Sequence, residues 1–345
     1  MISRRHFLSA SAGAASVLAS NAPFARAAES GQVVVGTWGG DYGQLLSDLI
    51  DKPLLAPKGI EVLQDVANAD PRKTKLLAER QSRRGSMDVA CLSDSDHYLV
   101  ETTDAFEAID PARISRLDKV FPELRTRTAI PHIYSAQVIL YNVNQVKAPP
   151  TSWADLWDPK WRGRVGLADI LYPNNTIMAA LAAGGNMSNY DPGEKKLMEL
   201  RSLDAKIYPS NEALAAALKS EEVWLTSMWL ARGFMWKKAG IPLSHVVPKE
   251  GAVSIVFEAS VPRNARNKDG GFAYLDAMLD PKAQAAFADK MGYVPTVSDA
   301  VLPEDIAKQV SLSEADRARL LKPDYKYHTE RMQRTLDFWN KEFKG

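Results

Sequence analysis

Apolar and polar positions change rhythm along this chain, separating short strands from amphipathic helices. Val33-Val34-Val35-Gly36 is a β-branched run breaking into glycine-rich turn chemistry, which predicts a strand. From Gln44 to Leu54 apolar residues return at helical spacing. Ile60 to Val66 predicts a second strand, Lys73 to Arg83 a charged helix with Leu76 and Leu77 inward, and Met87 to Leu92 a third strand. Strand, helix, strand, helix, strand at these intervals implies parallel pairing, because parallel neighbours need a helix-length crossover.

The rhythm changes after Pro131. Ile133 to Asn142 alternates and then becomes apolar, and Val146-Lys147-Ala148-Pro149-Pro150 is a stiff connector. A second series follows: strand Arg164 to Leu167, helices from Asn175 and near Lys195, helix Glu212 to Leu218, strand Val223 to Ser227. Val253 to Val261 is a further β-rich run leading into helices between Gly270 and Lys290. Glu330 to Phe343 carries Met332, Leu336, Phe338, Trp339 and Phe343 at helical spacing, which predicts a helix lying across one lobe. The expected fold is α/β with two lobes, each a central β-sheet flanked by helices, hinged by chain crossings near Ser135–Val138 and Ile255–Pro262. The first lobe is expected to take residues 28–136 with 259–315, and the second 137–258 with 316–345. A chain of 345 residues fits that division, since single cores stop growing at about 250–300 residues.

The N-terminus changes the setting. Ser3-Arg4-Arg5-His6-Phe7-Leu8, an apolar small-residue run and Ala25-Arg26-Ala27 have the order of a twin-arginine export signal with its cleavage site. Residues 1–27 are expected to be removed, leaving a chain that works in the periplasm. Ser residues and Pro23 interrupt the run too often for it to stay as a membrane span. With 43 basic against 42 acidic residues, the chain lacks the basic surplus that nucleic-acid binding needs. Cys91, the single cysteine, has no internal disulfide partner and sits in an apolar run that predicts a packed thiol.

Little in the chain suggests reaction chemistry. The five histidines are scattered, and none has a second His or Cys at metal spacing. Gly-x-Ser-x-Gly and Walker-type sequences are missing, so no catalytic residue, metal or cofactor is expected. The richest stretch is Gly36-Thr37-Trp38-Gly39-Gly40-Asp41-Tyr42-Gly43, directly after the first strand, where α/β proteins hold ligands. Three readings compete there: a dinucleotide turn with Asp65 further on, a wall of a small-solute cleft, or a tight turn with Trp38 packed inward. The spacing fails the Gly-x-Gly-x-x-Gly pattern, which weakens the first.

Ser152-Trp153-Ala154-Asp155-Leu156-Trp157-Asp158-Pro159-Lys160-Trp161-Arg162-Gly163-Arg164-Val165 resembles a segment of the spermidine/putrescine-binding group of periplasmic solute-binding proteins, in family 1 of the ABC-transporter receptors. The resemblance continues through Ile130–Tyr134, Val247–Gly251, Val261–Ala265 and Met291–Pro295. It implies two lobes closing on a small solute, which an inner-membrane ABC permease then takes up. The receptor is expected to be a monomer.

The same resemblance implies a pocket. Its first-strand loop falls on Thr37, Trp38 and Gly39, with Tyr42 beside it; its third-strand loop falls on Ser93, Asp94 and Ser95; two aromatics fall on Trp229 and Tyr293. Acidic positions of the polyamine binders fall on Tyr172, Asn175 and Phe257, and a stacking position on Ile255. Glu258 lies one residue off and on the opposite strand face. Long polycations are therefore disfavoured, because a buried cation needs a paired charge. A small zwitterion or monocation such as a γ-amino acid fits better, gripped by Asp94 or Asp96, unless those two cap a helix. Its carboxylate would want Thr37, the Gly39-Gly40 amides, Asn174, Asn175 or Arg232, the last equally readable as a surface residue. No adjacent tyrosine pair for ferric iron occurs. The alternative from another class is an exported cofactor-containing oxidoreductase, since the twin-arginine route carries folded proteins. A third is an interaction module without a small ligand.

Overall fold

The computed structural model describes residues 31–345, so the export segment expected at 1–27 lies outside the described residues. The chain opens with β1 (Gln32–Thr37), α1 (Gly40–Leu46), β2 (Glu61–Val66), α2 (Ala69–Glu79), β3 (Val89–Ser93) and α3 (Asp94–Glu101). Between α1 and β2 a π-helical stretch, Ser47–Leu55, continues the helix and carries Pro53. β4 (Ile130–Asn142) then leaves this first lobe.

The second lobe comprises β5 (Val165–Ala168), α4 (Tyr172–Ala182), α5 (Asp191–Ser202), β6 (Lys206–Tyr208), α6 (Asn211–Lys219), β7 (Leu225–Trp229), α7 (Leu230–Lys238) and β8 (Leu243–Val246). β9 (Ala252–Ser260) returns to the first lobe, which adds α8 (Lys268–Met278), α9 (Pro281–Met291) and β10 (Val294–Pro295). The chain ends with α10 (Glu304–Val310), α11 (Glu314–Arg317), β11 (Leu320–Leu321) and α12 (Tyr325–Phe338).

One strand joins the two sheets. The ladder of β4 against β9 runs from Ile130 to Ala136, and from Gln137 to Tyr141 the strand pairs with β7 instead. Every residue of β4 is buried, because the strand is interior to both sheets; that is why its alternation fades into an apolar run. In the first lobe the order is β2-β1-β3-β9-β4, and in the second β4-β7-β5-β6.

Each sheet is covered on both faces. Val33 and Val35 pack with Leu46, Ile50, Phe272 and Phe287 on one side of the first sheet, while Leu76, Leu92 and Phe106 fill the other. Phe338, Trp339 and Phe343 seat the C-terminal segment on the second lobe beside Trp153 and Trp157. Cys91 is fully buried, and burial pushes its thiol up to about 11. The tryptophan-rich segment is scaffold: the indole N–H of Trp153 donates to the Gly251 carbonyl at 2.9 Å and that of Trp157 to the Lys196 carbonyl at 2.8 Å.

Two helices start earlier than the apolar spacing suggests. The helix expected over 73–83 runs over Ala69–Glu79, because Pro71 suits a first turn whose N–H groups need no partner. Similarly, α12 begins at Tyr325, where the Asp324 carboxylate accepts from the Tyr327 amide at 3.0 Å.

Candidate functional site

Strand directions decide where the loops meet. β1 and β3 are parallel and end at Thr37 and Ser93. Since β9 is antiparallel to both β3 and β4, β4 runs with β3 toward the second lobe. There β7 is antiparallel to β4 and β5 parallel to β7, so their ends, Trp229 and Ala168, point back at the first lobe. The carboxyl ends of the strands, where open α/β sheets bind ligands, therefore face one another across the crossing.

A cleft of about 640 Å3 lies at this seam, lined from the first lobe by Gly39, Asp41, Tyr42, Met291 and Tyr293, and from the second by Trp229, Ala231, Arg232 and Met235. Gly40, at φ +62°, turns the chain from β1 into α1 in a conformation that favours glycine. Behind the cleft wall the rings interlock edge to face. Trp38 stands 5.3 Å from Tyr42 and 5.2 Å from Phe257, and Phe257 stands 5.2 Å from Tyr293. One indole face of Trp38 is covered by the Arg72 guanidinium at 4.5 Å. Tyr42 hydroxyl and His132 Nδ1 lie 2.9 Å apart, and burial holds that imidazole down to about 3, so it stays neutral.

Beside Trp229 the second lobe buries two amides. Gln137, the register partner of Trp229, donates through Nε2 to the Asn174 carbonyl at 3.1 Å and to Ser227 Oγ at 2.5 Å. Asn175 donates through Nδ2 to the Ala168 carbonyl at 3.0 Å. Both side chains are fully buried, and their oxygens, Gln137 Oε1 and Asn175 Oδ1, have no partner among the described residues, nor has Thr37 Oγ1. Arg232 is half-buried and makes no hydrogen bond or ion pair with the described residues.

Strand alternation sends other expected residues elsewhere. Phe257 joins the aromatic wall, whereas Glu258 lines a second recess of about 630 Å3 with Ser254, Val256, Asp94, Lys322 and Tyr325. There Tyr325 donates its hydroxyl proton to Asp94 at 2.9 Å, and burial raises the Asp94 carboxyl to about 6. Burial, helped by the charge of Asp94, raises Glu258 to about 8, and burial lowers His97 to about 4. Glu258 and His97 lie 3.2 Å apart, so both favour their neutral forms and share one proton.

The seam thus brings together Gly39, Tyr42, Trp229 and Tyr293, with Trp38 behind them and Thr37 and Asn175 among the unpartnered polar groups. Asp94 and Glu258 belong to the other recess. Asp96 is bound to Lys73 at 2.7 Å, and Ser93 caps α3 by accepting from the Asp96 amide at 3.3 Å. Tyr172 turns to the C-terminal helix, its hydroxyl 3.2 Å from Met332 Sδ. Gln137 was not anticipated, although a lone amide in a strand otherwise apolar from Val138 to Tyr141 is a legible signal. Arg232 faces the cleft rather than the outer surface.

The chain is similar to known proteins. It is 28% identical over 228 residues to the spermidine/putrescine-binding periplasmic protein of Escherichia coli K12, covering 63% of this chain and 64% of that one. It is 25% identical over 273 residues to spermidine/putrescine-binding periplasmic protein 1 of Haemophilus influenzae, covering 74% of each. The chain thus spans a little under two thirds of the Escherichia coli relative. The crystal structure of a spermidine/putrescine ABC transporter substrate-binding protein from Streptococcus pneumoniae has the same fold, with a TM-score of 0.77 at 20% identity, over 91% of this chain and 99% of that one. The family model for bacterial extracellular solute-binding proteins matches residues 59–314, well over half of the chain, and the chain therefore belongs to that family.

Proposed function

We propose that this protein is a periplasmic receptor that takes up a small polar solute, amine- or amino-acid-like, between its lobes and hands it unchanged to an ABC permease. Export through the N-terminal twin-arginine segment places it there. The observation carrying this reading is the seam itself: aromatic walls from two lobes, facing strand ends, and buried polar atoms without partners. Relatives named for binding spermidine and putrescine in the periplasm support the receptor role and the polyamine-type importer. Lobe closure would turn on β4 and β9, with the pivot at Ala136–Gln137, where β4 exchanges partners. Each lobe keeps a buried core of its own, and a further cluster including Tyr134, Val138, Met228 and Val256 spans the crossing.

Nothing in this role makes or breaks a bond. The test is a thermal-shift screen of the purified mature protein against a metabolite panel. A solute that binds only the folded state stabilises it by about 2.7 kcal/mol at a hundredfold excess over Kd. The expected result is a melting shift with one small polar class. A flavin, haem or iron–sulfur absorbance band, or no shift with any solute, would sink the reading.

A further inference from the structure

We infer that the solute is a compact zwitterion, with its ammonium group held by the side-chain oxygens of Gln137 and Asn175 and its carboxylate by Arg232. This inference rests on the receptor reading above and names the substrate class.

The orientation of the two amides is set by their surroundings. A carbonyl can only accept, so Gln137 must turn Nε2 toward the Asn174 carbonyl and Asn175 must turn Nδ2 toward the Ala168 carbonyl. The free ends are therefore both acceptors, Oε1 and Oδ1, and both side chains are fully buried. They lie beside Trp229: Gln137 is its register partner, and Asn175 follows the residue whose carbonyl Gln137 holds. Buried acceptors with no donor are uncommon, and a guest that supplies N–H groups removes the penalty. A carboxylate supplies none.

The opposite requirement holds a few residues away. Arg232 is the third residue of α7, the helix that follows Trp229; it lines the cleft and has no partner among the described residues. A guanidinium there is matched by a carboxylate and repels an ammonium. Its charged surroundings are thin: Asp41 is the other charged residue lining the cleft, and Glu212 of α6 is close enough to feel the Arg232 charge. Neutral acceptors also set the valence. Two amide oxygens solvate one ammonium group, but they cannot offset a second buried positive charge as carboxylates would. A diamine would place that second charge in the cleft that holds Arg232. Met235, Met291 and the Trp229 and Tyr293 rings supply apolar wall for a short methylene spacer.

The experiment is titration calorimetry and thermal shift on the mature protein with β-alanine, γ-aminobutyrate, 5-aminovalerate, butylamine, butyrate and putrescine. One of the ω-amino acids is expected to bind at least ~10-fold more tightly than butylamine, butyrate or putrescine. Arg232→Gln should erase the preference for the amino acid over butylamine. Asn175→Asp, which replaces an acceptor by a charge of the same shape, should raise putrescine affinity by at least ~10-fold. Circular dichroism melts of both variants verify that each still folds. Putrescine or butylamine binding the wild-type protein most tightly, or Arg232→Gln leaving the carboxylate preference intact, would overturn the assignment and spare the receptor reading. Silence from all six probes with a shift from another solute in the wider panel does the same. Silence from every solute defeats both.

Discussion

Two recesses flank β9, one lined by Ser254, Val256 and Glu258 and the other backed by Phe257 behind Tyr293, and they treat polarity in opposite ways. In the one beside Glu258, each buried ionisable group has an internal answer. Tyr325 donates to Asp94, Glu258 shares a proton with His97, and the far nitrogen of His97 meets the Thr128 hydroxyl at 3.2 Å. In the seam cleft the walls are largely aromatic and Arg232 is unpaired among the described residues, and the buried oxygens of Gln137 and Asn175, near Trp229 of that wall, have no partner there either. A polar network closed on itself rigidifies a fold, whereas one left open at an inter-lobe seam is poised for a guest. Burial alone does not tell the two apart; the partner of each polar atom does.

The largest expected effect tests whether Trp38 belongs to the frame or to the free wall. Trp38 touches Tyr42, Phe257 and Arg72, so Trp38→Ala should lower stability by about 3 kcal/mol in urea unfolding. A loss below about 1 kcal/mol would mean that the ring contributes little packing and serves mainly as a wall for solute.

Trp229 offers the contrast, because its side chain lines the cleft at the end of β7. Trp229→Ala should weaken solute affinity about tenfold, near 1.4 kcal/mol, while the urea midpoint of the empty protein barely moves. Unchanged affinity would place the site elsewhere.

The Glu258 recess should show itself through pH. The folded carboxyl sits at about 8 against an ordinary 4.5, so the native state holds a proton that the unfolded chain releases. Its contribution is complete below the ordinary value and is lost as pH rises through about 8. His97 runs the other way: its neutral form is favoured, so its contribution is lost as pH falls through about 4. Stability of the wild-type protein should therefore fall as pH rises from about 6.5 to about 8, the opposite His97 effect offsetting it below that window, with a slope of at most about 1.4 kcal/mol per pH unit, and Glu258→Gln should flatten it. A wild-type profile already flat above neutrality would show that Glu258 is ionised in the native state.

The smallest effect is expected from Tyr325→Phe, which removes one donor to a buried carboxylate and should cost about 1 kcal/mol in urea unfolding. It should leave solute affinity at the seam unchanged, since the two recesses are served by opposite faces of β9. A tenfold loss of affinity would merge them into one site.

Much of the fold was legible. β1 and β3 appear as β-branched or apolar runs because both sheet faces are covered, and β5 follows the same logic, whereas β2, at the sheet edge, keeps a half-exposed, alternating pattern. The start of α3 was legible only as an alternative for Asp94 and Asp96, which sit in its first turn behind the Ser93 cap. The site was half legible. Glycine-rich turn and aromatics pointed to the seam, but Asp94 and Asp96 are held by Tyr325 and Lys73, partners far away along the chain.

Periodicity and turn chemistry are local properties, and they sufficed for the α/β class, two lobes and the crossing near Ser135–Val138, while the family resemblance pointed to Trp229 and Tyr293 as pocket aromatics. Which face of β9 each side chain takes, which carboxylate is already bonded, and which amide oxygen is left over were decided only by tertiary structure. Those outcomes depend on pairings such as Gln137 with Asn174 or Glu258 with His97, which no local pattern encodes, since a hydrogen bond is set by distance in space rather than by position along the chain.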